Sequence, residues 1–126
     1  MAQPFRAWLM LLLVTLCLPL AQAGPVTLDA QSGLPIVTQA ELPGEARETL
    51  HAIKQGGPFT YDRDGVVFGN YEQILPKQAR GYYHEYTVKT PGARNRGVRR
   101  IVCGPLPECY YTADHYQSFK RIREQP

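Results

Sequence analysis

The stretch from Gly81 to Val102 constrains the fold more than any other, because its composition suits little except paired strands. Tyr82 to Val88 is a run of aromatic and β-branched residues, the composition of a half-buried strand. Thr90-Pro91-Gly92 then turns the chain, proline presetting φ and glycine accepting a positive one. This predicts two strands joined by a Pro-Gly turn, with Glu85 on the first and a cluster of Arg94, Arg96, Arg99 and Arg100 on the second. Side chains alternate along a strand, so Tyr83, Glu85 and Thr87 share one face and His84, Tyr86 and Val88 the other. One acid facing several guanidiniums is the charge arrangement that a phosphate-handling site requires.

Only one segment carries a helical pattern. Leu42, Ala46, Leu50 and Ile53 form one apolar stripe, which predicts a helix over Leu42–Gln55 with Pro43 at its first position and Gly56-Gly57-Pro58 ending it. Before it, Gly24–Gly33 reads as a loose leader and Leu34–Thr38 as a short edge strand. After it, strand and turn signals alternate. Asp64-Gly65 turns into Val66-Val67-Phe68, a polar connection covers Gly69–Arg80, and Tyr110-Tyr111-Thr112 and Ser118–Ile122 follow the central hairpin. The predicted class is α+β, with one N-terminal helix packed on a twisted antiparallel sheet. His51 rides on the helix as a surface or boundary histidine.

Residues 1–23 are read apart from the fold. Arg6, the apolar run Ala7–Leu18 and the small-residue signal Ala21-Gln22-Ala23 make a secretory signal peptide, its apolar run short for a membrane span. A lipidated Cys17 is the weaker reading, since Leu16 occupies a position that favours a small residue. Removing these 23 residues from 126 leaves 103, one domain spanning residues 24–126, exported to the periplasm or beyond. The remaining charge is modest, 13 basic residues against 11 acidic, so position matters more than sum. Five bases fall between Lys89 and Arg100, a stripe that points to a polyanionic ligand. An exported chain retaining Cys103 and Cys109 favours a disulfide between them, worth ~2 kcal/mol for so short a ring. Two thiols are too few ligands for a zinc site.

Cleaving an RNA phosphodiester without a metal needs a base for the 2′-hydroxyl, an acid for the departing 5′-oxygen and fixed positive charge. Glu85 is the candidate base; the bland alternative makes it an ion-pair partner for an arginine. His115, in a turn between Asp114 and Tyr116, is the candidate acid. His84 adjoins Glu85 but points to the opposite face, which suits a structural role. Arg96 and Arg100 are the candidate phosphate ligands, with Arg94 and Arg99 peripheral or solvated. A carboxylate can accept from the N1–H and N2–H₂ edge of guanine, and aromatic rings stack on unpaired bases. Asn70, Tyr71 and Glu72 supply a turn former, a ring and a carboxylate in consecutive positions. Glutamate and histidine side chains titrate at about 4.3 and 6.5 as reference values, so activity should peak in mildly acidic to neutral solution.

These blocks together resemble the small secreted guanyl-preferring ribonucleases of the barnase–binase group, closest to its Sa-type branch. The matching blocks run from Leu42-Pro43 through Asp64-Gly65-Val66-Val67-Phe68, Gly81–Val88, Thr90-Pro91-Gly92, Arg96-Gly97 and Arg99–Val102 to Tyr110-Tyr111-Thr112 and Asp114-His115-Tyr116. The resemblance implies an endoribonuclease that cuts after guanosine through a 2′,3′-cyclic phosphate, which is then hydrolysed. It implies Glu85 as general base, His115 as general acid, Arg96 and Arg100 on the scissile phosphate and Tyr116 beside them. It further implies that Glu72 reads guanine with the main chain of Asn70 and Tyr71, and that Phe68 stacks on the base. The group usually places arginine where this chain has Tyr71, a polar residue where it has Gly69, and, in the Sa-type branch, a disulfide joining the chain ends. The implied partners are single-stranded RNA and a barstar-like protein inhibitor, with no cofactor and a monomeric chain. The rival expectation is a non-catalytic RNA-binding module that uses the same basic face.

Overall fold

The fold is described by a computed structural model covering residues 15–16 and 26–124. The expected signal peptide, apart from Thr15 and Leu16, and Cys17 lie outside the described residues. Among the described residues, no helix is long and apolar enough to cross a membrane. The elements are β1 (Ile36–Thr38), α1 (Gly44–Gln55), β2 (Val66–Phe68), β3 (Tyr83–Thr87), β4 (Arg100–Cys103), β5 (Cys109–Thr112) and β6 (Lys120–Arg123). Among the described residues they form one α-helix against a six-stranded sheet of order β1-β6-β5-β4-β3-β2. Every pair is antiparallel except β1 with β6, which run parallel at the far edge.

Helix α1 begins at Gly44, later than its apolar stripe suggests. Pro43 caps it with an extended backbone instead of taking its first position, and Leu42, preceding proline, is extended as well. Arg47 Nη1 donates to the Leu42 carbonyl at 2.8 Å across this corner. Gly56 ends the helix in the left-handed region at φ 78°, which glycine adopts without penalty. Ala46, Leu50 and Ile53 face the sheet and pack with Val88, Ile101, Cys103, Tyr111 and Ile122. A second cluster on the opposite sheet face gathers Leu75, Tyr83, Val102, Tyr110 and Phe119.

The alternation expected in β3 is present. Tyr83, Glu85 and Thr87 are buried on the face away from the helix, and His84 and Tyr86 are half-buried on the other. Its ladder with β4 pairs Glu85 with Val102 and Thr87 with Arg100. Most of the arginine cluster, however, is not on a strand. Arg94, Arg96 and Arg99 lie in the loop between β3 and β4, and only Arg100 belongs to β4. Positive φ angles at Gly92 and Gly97 turn the backbone there, and the ladder with β3 begins at the Thr87–Arg100 pair. Strands β5 and β6 begin at Cys109 and Lys120, a shift of one or two residues from the expected boundaries.

The described part of the leader, residues 26–33, is more ordered than its small, polar composition suggests. Asp29 is only 4% exposed, accepts from the Ser32 amide and hydroxyl at 3.0 and 2.7 Å, and pairs with Arg123 at 3.1 Å and Arg121 at 3.4 Å. A bridge between Leu28 and Pro35 completes this anchor. Cys103 and Cys109 face each other across β4 and β5 and are joined by a disulfide, Cα atoms 4.1 Å apart.

Candidate active site

The site lies on the sheet face opposite the helix. Glu85 points there from β3 and is 8% exposed. Arg100 points there from β4, its stem buried and its Nη1 donating to the carbonyls of Arg99 at 2.8 Å and Arg96 at 3.4 Å. Arg96 reaches back from the loop, and its Nε and Nη2 both donate to Thr87 Oγ1, at 3.0 and 2.8 Å. That fork leaves Arg96 Nη2 3.7 Å from Glu85 Oε1, a loose ion pair. Thr87 belongs to the site as well; its place two positions from Glu85 puts it on the same face, but its residue type carries no chemical signal.

Tyr116 joins these groups. Its hydroxyl donates to Glu85 Oε1 at 3.0 Å and accepts from Arg100 Nε at 3.2 Å. Burial first, then the Glu85 charge and hydrogen bond, push this hydroxyl above the usual tyrosine range, with Arg100 opposing them. The His115 imidazole packs on the Tyr116 ring, centroids 4.9 Å apart, and is exposed. Glu85 and His115 therefore flank one tyrosine, with the Arg100 guanidinium beside it and Arg96 beyond Glu85. The turn holding His115 and Tyr116 has left-handed φ angles of 56° and 70°. Thr112 Oγ1 accepts from the Tyr116 amide at 3.1 Å, and Val98 accepts from the His115 amide at 3.1 Å. Asp114 accepts from the Ser118 hydroxyl and amide, bonds that hold its carboxyl below the ordinary carboxylate range.

A cleft of about 170 Å³ adjoins this cluster, lined by Phe68, Asn70, Tyr71, Glu72, Ile74, Tyr116 and Phe119. The Phe68 ring stacks on Tyr116 at 5.3 Å and meets Phe119 edge-on at 5.9 Å. Asn70, at φ 51°, pins the loop by donating to the Leu75 carbonyl at 3.0 Å and accepting from the Leu75 amide at 3.2 Å. Glu72 and Tyr71 are exposed at the rim. Nothing local in the sequence marks Ile74 or Phe119 as a neighbour of Phe68; the fold alone brings them to the cleft. The expected peripheral positions hold less. Arg94 is exposed, Arg99 Nη1 lies 3.9 Å from Glu45, and His84 Nδ1 is bonded to the Gly65 carbonyl at 2.8 Å.

Comparison with known proteins supplies the context for this arrangement. A sequence model of the family described as ribonuclease matches residues 26–123. The chain is 58% identical over 87 residues to guanyl-specific ribonuclease Sa of Kitasatospora aureofaciens, covering 68% of this chain and 91% of the relative. It is 56% identical over 87 residues to guanyl-specific ribonuclease Sa3 of the same organism, covering 68% of this chain but only 62% of that longer protein. Its fold is similar to a crystal structure of ribonuclease Sa2 with guanosine-2′-cyclophosphate, with TM-score 0.71 and 48% identity, covering 74% of this chain and 99% of that one.

Proposed function

The chain belongs to the ribonuclease family, and from that premise we infer that it is a cyclising endoribonuclease that cuts RNA on the 3′ side of guanosine. In the first step the 2′-oxygen bonds to phosphorus, the P–O5′ bond breaks, and a 2′,3′-cyclic phosphate is left on guanosine. In the second, water opens that ring. Glu85 takes the 2′-hydroxyl proton and His115 supplies a proton to the 5′-oxygen; in hydrolysis the two exchange roles. Arg96 and Arg100 stabilise the crowded phosphoryl group, and Tyr116 positions Glu85 and Arg100 relative to it. Guanine occupies the cleft beside Phe68, with Glu72 and the main chain of Asn70 and Tyr71 on its polar edge.

The observation that carries this reading is the Tyr116 hydroxyl, bonded to both Glu85 and Arg100 while its ring packs on His115. A carboxylate, an imidazole and a guanidinium thus gather on one side chain, which supports reading them as base, acid and phosphate ligand. The protein acts as an exported monomer that needs no metal, and the arginines beside its cleft suit an acidic, barstar-like inhibitor electrostatically. Mapping the 3′ ends of digested single-stranded RNA tests the reading. Fragments should end in guanosine 2′,3′-cyclic phosphate, DNA of the same sequence should stay intact, and a chelator should leave the rate unchanged. Ends spread over all four bases would overturn the guanine assignment, and RNA affinity without product would favour a binding module.

A further inference from the structure

Tyr71 is held at two points although it is 81% exposed. A Cβ placed on Gly69 would collide with the Tyr71 ring, so the ring lies directly over the Gly69 backbone. The Tyr71 hydroxyl accepts a hydrogen bond from Arg80 Nη1 at 3.0 Å, from the far end of the same loop. Gly69 is absent from the positive-φ glycines, so its backbone does not call for glycine. What the missing side chain provides is room for the ring. So exposed a ring gains little from burial, yet it lines the mouth of the cleft that contains Phe68 and Glu72.

We propose that Tyr71, seated on Gly69 and tethered by Arg80, is a stacking platform for the nucleobase, supplying affinity without discriminating between bases. This rests on the cleft being the guanine subsite. Every base presents a π-face, so stacking is sequence-tolerant, and discrimination is left to the polar edge at Glu72. Tethering the ring before substrate arrives lowers the ordering cost of binding. A contact of this kind acts equally in the ground and transition states, so it lowers KM and leaves kcat alone.

Calorimetric titration with 3′-GMP and 3′-AMP, with initial rates on GpC, tests this. Tyr71→Ala should weaken both nucleotides by roughly tenfold, keep their affinity ratio, raise KM for GpC by a similar factor and preserve kcat. Tyr71→Phe keeps the ring and should lose less than about threefold. Gly69→Ala should displace the ring and weaken binding in the parent, but add nothing in the Tyr71→Ala background. Unfolding midpoints confirm that each variant is folded. Unchanged 3′-GMP affinity in Tyr71→Ala would overturn the proposal, as would a loss confined to 3′-GMP or to kcat. A parent protein that binds neither nucleotide and leaves GpC intact would overturn the guanine reading itself, an outcome distinct from any difference among variants.

Discussion

Replacing Tyr116 by phenylalanine removes one oxygen, and the structure shows what that oxygen holds. It donates to Glu85 Oε1 at 3.0 Å and accepts from Arg100 Nε at 3.2 Å. Glu85 and Arg100 are 8% and 3% exposed, so water replaces the hydroxyl poorly. Hydrogen bonds to charged groups contribute about 1.5–3 kcal/mol each. Both partners keep other contacts, Glu85 with Arg96 at 3.7 Å and Arg100 with the Arg99 carbonyl at 2.8 Å. The net loss should therefore approach one bond, about 2 kcal/mol, which is roughly a 30-fold fall in kcat/KM on GpC. If the hydroxyl acts through the carboxylate, the same change in a Glu85→Gln background should cost less than about threefold, by the logic of a double-mutant cycle. Since burial and Glu85 raise its ionisation range, the hydroxyl stays protonated in mildly alkaline solution, and Tyr116→Phe should share the parent's alkaline limb. Activity within twofold of the parent, or an undiminished loss in the Glu85→Gln background, would refute the reasoning.

Two predictions concern stability against pH. Burial opposes ionisation of Asp29, but the Ser32 hydroxyl and amide, Arg123 and Arg121 together hold its carboxyl below the ordinary value of 3.8. A carboxyl depressed on folding contributes stability that is present above its unfolded value and lost as pH falls through its folded one. Asp29→Asn should thus cost about 1–3 kcal/mol at neutral pH, and the gap to the parent in urea unfolding should narrow below pH 3.8; a gap of constant width towards pH 2 would contradict it. Tyr110 behaves oppositely. Burial and the Glu108 carboxylate raise its hydroxyl well above the ordinary 10.0, so its contribution is complete below that value and lost as pH rises beyond it. Tyr110→Phe should flatten the fall in stability above pH 10, and a slope equal to the parent's would count against the assignment.

The sequence by itself determined what is periodic or chemical. The apolar stripe of α1 and the alternation of β3 follow from 3.6- and two-residue repeats, and the second places Glu85 with Tyr83 and Thr87 on one face. Residue type also narrows the candidates for a base, an acid and phosphate ligands, because each chemistry admits few side chains. The tertiary structure decided everything that depends on partners remote in the chain. It made the arginine stripe a loop folded back onto Thr87, ordered the leader through Asp29 and two arginines beyond position 120, and set β1 parallel to β6. It also brought Tyr116 to Glu85 across 31 positions. The physical reason is that a local pattern states which face a residue shows, whereas the partner it meets is chosen by how the whole sheet buries its apolar surface and pairs the polar groups that remain.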